Sequence, residues 1–220
     1  MSEQVRDGRV LRGDQTRQAV MSRAVRLAST EGLEALSLGR LAGDLGISKS
    51  GIFALFGSKE ELQLATVRAA IVIYKQTVVE PAAVHPPGLA RLWSLCENWL
   101  RYSHDRVFPG GCFFYSVSAE FDARPGAVRD VIADSGVSWI RMIEENVDAA
   151  RRNGELRSDT DPGQLAFELI ALLEAANANS VLHNDPRSYV RSATAILSRL
   201  QADGADAALL PARHSFRVDA

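Results

Sequence analysis

The sequence predicts an all-α protein of about nine helices, a small N-terminal group followed by a larger C-terminal one. Three observations carry that expectation. Apolar residues recur at three- and four-residue spacing, and no stretch alternates as a half-buried strand would. Serine or aspartate repeatedly stands just ahead of such a run and glycine just behind it, the side-chain cap and the left-handed stop of a helix. The prolines fall at helix starts or between helices, where a missing N–H is tolerated.

The first eighteen or so residues, MSEQVRDGRVLRGDQTRQ, read as a loose basic arm. Val20, Ala24, Leu27 and Ala28 then mark one face of a first helix, which Gly32 ends. Ser37 is the N-cap of a second, with Leu38, Leu41, Ala42 and Leu45 facing the core and Gly46 as its stop. Gly39 and Gly43 inside it cost about 1 kcal/mol each relative to alanine, so compensating packing is expected. Ser48 caps a third, very short helix. Ile47 and Ile52 take the positions of a hydrophobic staple, and Ile52, Leu55 and Phe56 form its core side before Gly57. Ser58 and Glu61 have the spacing of a capping box and open a fourth helix expected to run to about Val79, ahead of Pro81.

HPPG at 85–88 reads as a linker. A helix follows from Leu89 to about His104, VFPGGC at 107–112 breaks the chain, and another helix reaches Asp122. Pro125 suits the first position of a long segment to Asn153, stopped by Gly154. Asp161-Pro162 and Asp185-Pro186 repeat one start signal and open helices over 162–183 and 186–202. The expected domains are 1–58 with its basic arm, 59–202, and a frayed tail over 203–220.

With 46% apolar residues the chain can bury one or two cores, and its net charge of −2 predicts no bulk attraction to polyanions. The distribution differs: residues 1–60 carry nine Lys/Arg against seven Asp/Glu, a mild positive excess. Cys96 and Cys112 form no CxxC, and the four histidines are scattered, so no metal site or disulfide framework is expected. The start lacks a signal peptide's apolar core. The most apolar run, Leu165 to Leu182, is interrupted by Glu168, Glu174, Asn177 and Asn179, so no membrane span is expected and the expected location is the cytoplasm. No GxSxG, HExxH, P-loop or dinucleotide fingerprint is present, and no catalytic residue or cofactor is expected.

Two short capped helices, 37–45 and 48–56, joined at Gly46-Ile47, have the layout of a helix-turn-helix, whose second helix enters a DNA major groove. On a helical wheel Ser50 and Ala54 lie opposite the core side, with Lys49 and Phe53 flanking them. Ser50 can exchange a hydrogen bond with base edges and the Ala54 methyl can meet a thymine methyl. Lys49, Lys59 and the helix N-termini at Ser37 and Ser58 offer donors to phosphates, which set register and affinity.

The run LSLGRLAGDLGISKSGIFALFGSKEEL, Leu36 to Leu62, resembles the TetR-type bacterial transcriptional regulators. The resemblance is strong over residues 16–65; downstream, FPGGCFF and GELRSDTDP look like one branch of such C-terminal domains. It implies that Ser37, Lys49, Ser50, Gly51, Phe53, Ala54, Leu55 and Lys59 act at double-stranded DNA carrying a palindromic operator. Phe53 stands where tyrosine is common, and Ala54 and Leu55 where larger polar residues or histidine are usual. Leu55 falls on the core side of the wheel, which argues against base reading. Fewer polar contacts imply either a binder of modest affinity or one that leans on its arm, with Arg9, Arg12 and Arg17 following the backbone or the minor groove.

The resemblance further implies a helical pocket for a small-molecule effector within 89–183 and a homodimer through the last two long helices. Trp93, Trp99, Tyr102, Phe113, Phe114, Phe121, Trp139 and Met142 are candidate apolar lining, and Glu120, Asn146, Glu174 and Asn177 candidate polar anchors. The helix 165–182 offers Leu165, Leu169, Leu172, Leu173, Ala176 and Val181 as an interface, and 186–202 offers Val190, Ala193, Ile196, Leu197 and Leu200. Cys112, following Gly110-Gly111 at a helix start, has the setting of a redox-sensitive thiol. The expected function is a repressor released from its operator by an apolar or amphipathic ligand. The alternatives are a DNA-binding regulator without effector and, more remotely, a helical enzyme or small-molecule-binding domain with an incidental motif.

Overall fold

The computed structural model describes residues 2–211, 215 and 216, with side chains from residue 13 onward. Among these residues it is helical without strands. The helices are α1 (Ser2–Glu31), α2 (Leu38–Leu45), α3 (Lys49–Phe56), α4 (Lys59–Tyr74), α5 (Leu89–His104), α6 (Phe113–Phe121), α7 (Ala127–Arg152), α8 (Pro162–His183) and α9 (Arg187–Ala202).

The capping signals account for most boundaries. Asp161 Oδ1 accepts from the N–H of Gly163 and Gln164 at the start of α8, and Pro162 follows the cap. Ser58 Oγ accepts from Glu61 N–H at 3.1 Å, the serine half of the box, while Ser58 N–H donates to Phe56 O. α7 begins at Ala127, two residues past Pro125, because Gly126 takes a φ of +140° ahead of it.

Several expectations are corrected. Residues 2–18 are the opening turns of α1 rather than a loose arm; the side chains of Arg9 and Arg12 lie outside the described residues. The helix that starts at Lys59 does not stop before Pro81: a wider turn over Lys75–Val79, closed by Glu80 N–H on Lys75 O, leads into Glu80–Ala82. That turn shifts the register just where proline cannot donate. Nothing lies within 4 Å of a methyl built on Gly43, and only Lys49 Cε, at 4.0 Å, near one on Gly39, so packing does not require either glycine. The tail is not frayed throughout: Asp203, Ala205, Leu210 and Phe216 are buried. By length and composition α8 does qualify as a membrane-crossing helix, contrary to expectation. Its Leu165, Ala166, Leu169, Leu173 and Ala176 are nonetheless buried within the protein, and Asn177 accepts a hydrogen bond there.

The compact units divide the chain differently from the expected 1–58 and 59–202. The first comprises residues 1–71 and 108–132, the second 72–107 and 133–220. Segment 108–132 joins the first because α6 and the loop before it pack on α1. Gly110 lies so close that a Cβ there would fall 1.7 Å from Ser29 O. Val20, Ala24, Leu27, Ala28, Leu33, Leu36, Leu41, Ile52, Phe108, Phe113 and Val117 form this unit's core, all at most 2% exposed. In the second unit α8 and α9 form a hairpin about Asn184, which takes a left-handed φ of 50°. α5 packs on both, burying Leu92, Leu95, Cys96 and Leu100.

Candidate nucleic-acid interface and effector site

The candidate reading surface follows from how α2 and α3 are capped. Ser37 Oγ accepts from Arg40 N–H at 3.1 Å, and Gly46 takes a φ of 64° to end α2. Ile47 N–H then closes on Ala42 O at 3.0 Å. One residue later Ser48 Oγ accepts from Gly51 N–H at 3.1 Å and lies 3.2 Å from Ser50 Oγ. Buried Ile52 and Phe56 pin the inner side of α3. Lys49, Ser50, Phe53 and Ala54 are left exposed and Gly51 and Leu55 half-buried, the orientation the wheel predicts. Phe53 is 57% exposed, a phenyl ring held out beside the serine and alanine faces.

Charge is distributed less simply. Lys59 Nζ lies 2.9 Å from Glu34 Oε2 and donates to Glu34 O at 2.8 Å. Arg23 pairs with Asp44 at 2.7 Å and Arg40 with Glu31 at 2.7 Å. The hydrogen bond from Arg40 holds the Glu31 carboxyl below its ordinary pKa, and those from Lys59 and Gln63 do the same for Glu34. Lys49 has no ion-pair partner among the described residues, and exposed Ser37 caps α2.

Arg17, expected to follow DNA, is engaged elsewhere. It donates to Leu55 O at 3.0 Å and sits 4.7 Å over the Phe56 ring, so it caps the carbonyl end of α3 from α1. Sequence reasoning missed this because the partners are 38 residues apart and no spacing rule relates them.

The candidate effector residues separate. Phe113, Phe114 and Phe121 belong to the first unit; Phe113 and Phe121 are buried there, and Phe113 meets Phe108 and Phe114 at 5.4 Å. Glu120 is also in that unit and spends both oxygens on backbone N–H groups of Leu33 and Glu34. It is therefore no pocket anchor. The second unit gathers the others partly into one cluster. Tyr74 meets Tyr102 and Trp139 edge-on, each at 5.6 Å, and Trp99 lies 6.3 Å from Tyr102. Trp93 is buried on α5, and Met142 is half-buried on α7.

Asn146 stands two turns beyond Trp139 on the same face of α7 and is 4% exposed. Its Nδ2 donates to Met142 O at 2.8 Å, while Oδ1 has no hydrogen-bond partner among the described residues. Asn177 sits instead in a polar network: Ser103 Oγ donates to Asn177 Oδ1 at 2.7 Å and meets Tyr189 Oη at 2.8 Å, and Arg106 donates to Tyr189 Oη and Ser180 Oγ. Glu174 is exposed on α8, yet partial desolvation raises its carboxyl pKa.

A sequence model described as bacterial regulatory proteins of the tetR family matches residues 20–66, and one for the tetracyclin repressor-like C-terminal domain matches residues 88–196. The chain belongs to the TetR family of bacterial transcriptional regulators. It is a DNA-binding regulator. No curated protein matches it by sequence. Its fold is that of solved relatives. A TetR regulator from Chloroflexus aurantiacus is 22% identical with a TM-score of 0.80, covering 86% of this chain and 96% of its own. A putative regulator from Saccharomonospora viridis, solved with choline, is 22% identical with a TM-score of 0.71, covering 86% and 96%. AibR, solved with isovaleryl coenzyme A and operator DNA, is 19% identical with a TM-score of 0.62, covering 73% and 85%.

In this TetR-family chain the residues expected at the dimer face are mostly turned inward. Leu165, Leu169, Leu173, Ala176, Ala193, Ile196 and Leu200 are buried within the chain, where α8 and α9 pack together. Leu172, Val190 and Leu197 are half-buried and Val181 is exposed. The large apolar side chains that α8 leaves in water are Phe167, Val181 and Leu182, at 69%, 43% and 78%. Beside them α8 and α9 flank an open groove of about 410 Å³ lined by Leu172, Ala175, Asn179, Arg191 and Ala195 among others. Cys112 is 4% exposed, and burial pushes the Cys96 thiol up to about 12. No group of three or more metal-binding side chains occurs among the described residues.

Proposed function

We propose that the protein is a homodimeric cytoplasmic repressor that binds a palindromic operator and leaves it when a small apolar or amphipathic molecule fills its helical domain. The observation that carries the DNA part is the exposed Lys49, Ser50, Phe53 and Ala54 set on a helix otherwise pinned by buried Ile52 and Phe56. Ser50 and Ala54 read base edges, Phe53 adds an apolar contact, and Lys49 meets phosphate. Ser37 and Gly51 let backbone N–H groups approach the duplex, and Lys59 reaches phosphate by giving up the Glu34 carboxylate while keeping its bond to the Glu34 carbonyl. Leu55 holds the helix in place rather than reading bases. Because Arg23 and Arg40 are internally paired, few phosphate contacts are available, and each adds about 0.9 to the salt slope.

The dimer doubles that small footprint, with recognition helices one duplex turn apart, about 34–36 Å. Exposed Phe167 near the start of α8 and Val181 and Leu182 at its end support α8 as the meeting face. For the effector, the buried and unpartnered Oδ1 of Asn146, on the face that carries Trp139, supports a ligand with a hydrogen-bond donor and an apolar body. Relatives solved with isovaleryl coenzyme A or choline support ligand response in this fold. The ligand must favour one dimer geometry over the other, since equal affinity for both shifts nothing. Selecting genomic fragments bound by the purified protein, then screening metabolites for release of the best fragment, tests the whole reading. Recovery of no palindrome at low salt, or a monomer at working concentration, would overturn it.

A further inference from the structure

We propose that Glu120 is a positioning residue for operator reading: its carboxylate holds the α1–α2 turn through two backbone N–H groups. The inference rests on the DNA-binding reading above and adds to it a residue outside the helix-turn-helix. Oε2 accepts from Leu33 N–H at 2.7 Å and Oε1 from Glu34 N–H at 2.8 Å. Gly32, at φ +87°, turns these successive N–H groups to one side, a small backbone cradle for an anion. A Cβ on Gly32 would fall 2.7 Å from Glu120 Oε2, so any side chain there would displace the carboxylate from this position.

The same two residues are held from their other side. Gln63 Nε2 donates to Leu33 O at 3.0 Å and Lys59 Nζ to Glu34 O at 2.8 Å. Both N–H and both C=O groups of residues 33 and 34 are thus taken by side chains that are 25 to 87 residues away in sequence. Ser29 adds a contact by accepting from Gly110 N–H at 3.3 Å, in a loop with no room for a side chain at Gly110. Three residues past Glu34 the chain reaches Ser37, the cap that starts α2, and α2 orients α3 through the Gly46 turn. A shift at residues 33 and 34 therefore moves the reading face.

Base-edge hydrogen bonds are sensitive to such a shift, whereas phosphate attraction tolerates it. The test compares wild type with Glu120→Gln on its selected operator and on unrelated DNA. Glutamine keeps the size but offers one acceptor oxygen, orphaning one amide. The expected result is a fall in operator affinity of about tenfold with unrelated-DNA affinity within about twofold. Simple charge removal would tighten both. A ratio of the two affinities equal to wild type, whether both rise, fall or stay, overturns the proposal. Should the variant fail to fold, amide exchange of the wild-type protein decides: Leu33 and Glu34 amides are expected to exchange at least about 100-fold slower than free amides, and exchange at the free rate overturns it. Failure of wild type to select any DNA would instead remove the DNA-binding reading, and the exchange result would still judge the hydrogen bonds.

Discussion

Lys59 is held by Glu34 twice, through the carboxylate at 2.9 Å and through the backbone carbonyl at 2.8 Å. A lysine expected at phosphate is thus, without DNA, neutralised by its own domain. Both side chains are nearly half exposed, so the pair is weak enough for a phosphate to displace. Glu34→Gln should tighten DNA binding at low salt without altering operator preference, measured by fluorescence anisotropy. The pH dependence follows from sign. Hydrogen bonds from Lys59 and then Gln63 lower the Glu34 pKa, so the pairing is complete above the ordinary carboxylate range and is lost as pH falls through the lowered value. Operator affinity should therefore show no step from this pair between about pH 5.5 and 8.

Arg17 caps the carbonyl end of α3 and lies over Phe56. Arg17→Ala should weaken operator binding by about three- to tenfold, as expected for loss of a contact worth about 1 kcal/mol. Arg17→Lys should recover little, since a point cation does not reproduce the flat stacked guanidinium. Equal affinity for the alanine variant and wild type would show that α3 needs no such support.

Gly43 is an exposed helix-interior glycine with free space around it. Gly43→Ala should stabilise the fold by about 1 kcal/mol and raise the melting temperature by about 2–4 °C. If the same variant loses operator affinity, the bare backbone at this position serves close approach of the duplex.

The exposed residues of α3 divide by the roles proposed for them. Lys49→Ala should weaken binding to all DNA and reduce the salt slope by about 0.9. Ser50→Ala and Ala54→Leu should change which operator is chosen, read by repeating the fragment selection with each variant. Uniform loss on every sequence would contradict the roles given to Ser50 and Ala54.

Asn146 carries the buried, unpartnered oxygen. Asn146→Leu removes it at similar volume and should stabilise the protein by about 1 kcal/mol in calorimetry while abolishing release by the effector. A variant destabilised and still fully releasable would show that the oxygen has no part in ligand binding.

Much of the reading surface was legible in residues 37–62 because it is written in local rules. Caps at Ser37, Ser48 and Ser58, stops at Gly46 and Gly57, and helical spacing of Ile52 and Phe56 all act within one or two turns, and each appears in the structure. The effector residues were less legible. An aromatic at helical spacing looks the same whether it lines a cavity or fills a core, and Phe113 and Phe121 prove to be core of the first unit. α8 and α9 show the same ambiguity: an apolar stripe does not say whether its partner is the next helix of the same chain or a second copy.

The sequence alone determined that this chain is all-helical, where its recognition helix begins and ends, and which side of that helix faces outward. Propensity, capping and periodicity are short-range and decide those features before any tertiary contact forms. Tertiary structure alone decided which charges are spent inside the protein and which segments share a core. Arg17 on Leu55, Lys59 on Glu34, and Glu120 on the backbone of residues 33 and 34 join positions 25 to 87 residues apart. Such partners meet because α6 packs on α1, α3 lies beside α1 at Arg17, and the start of α4 lies against the turn after α1, and no local pattern encodes a contact that depends on the whole chain having folded.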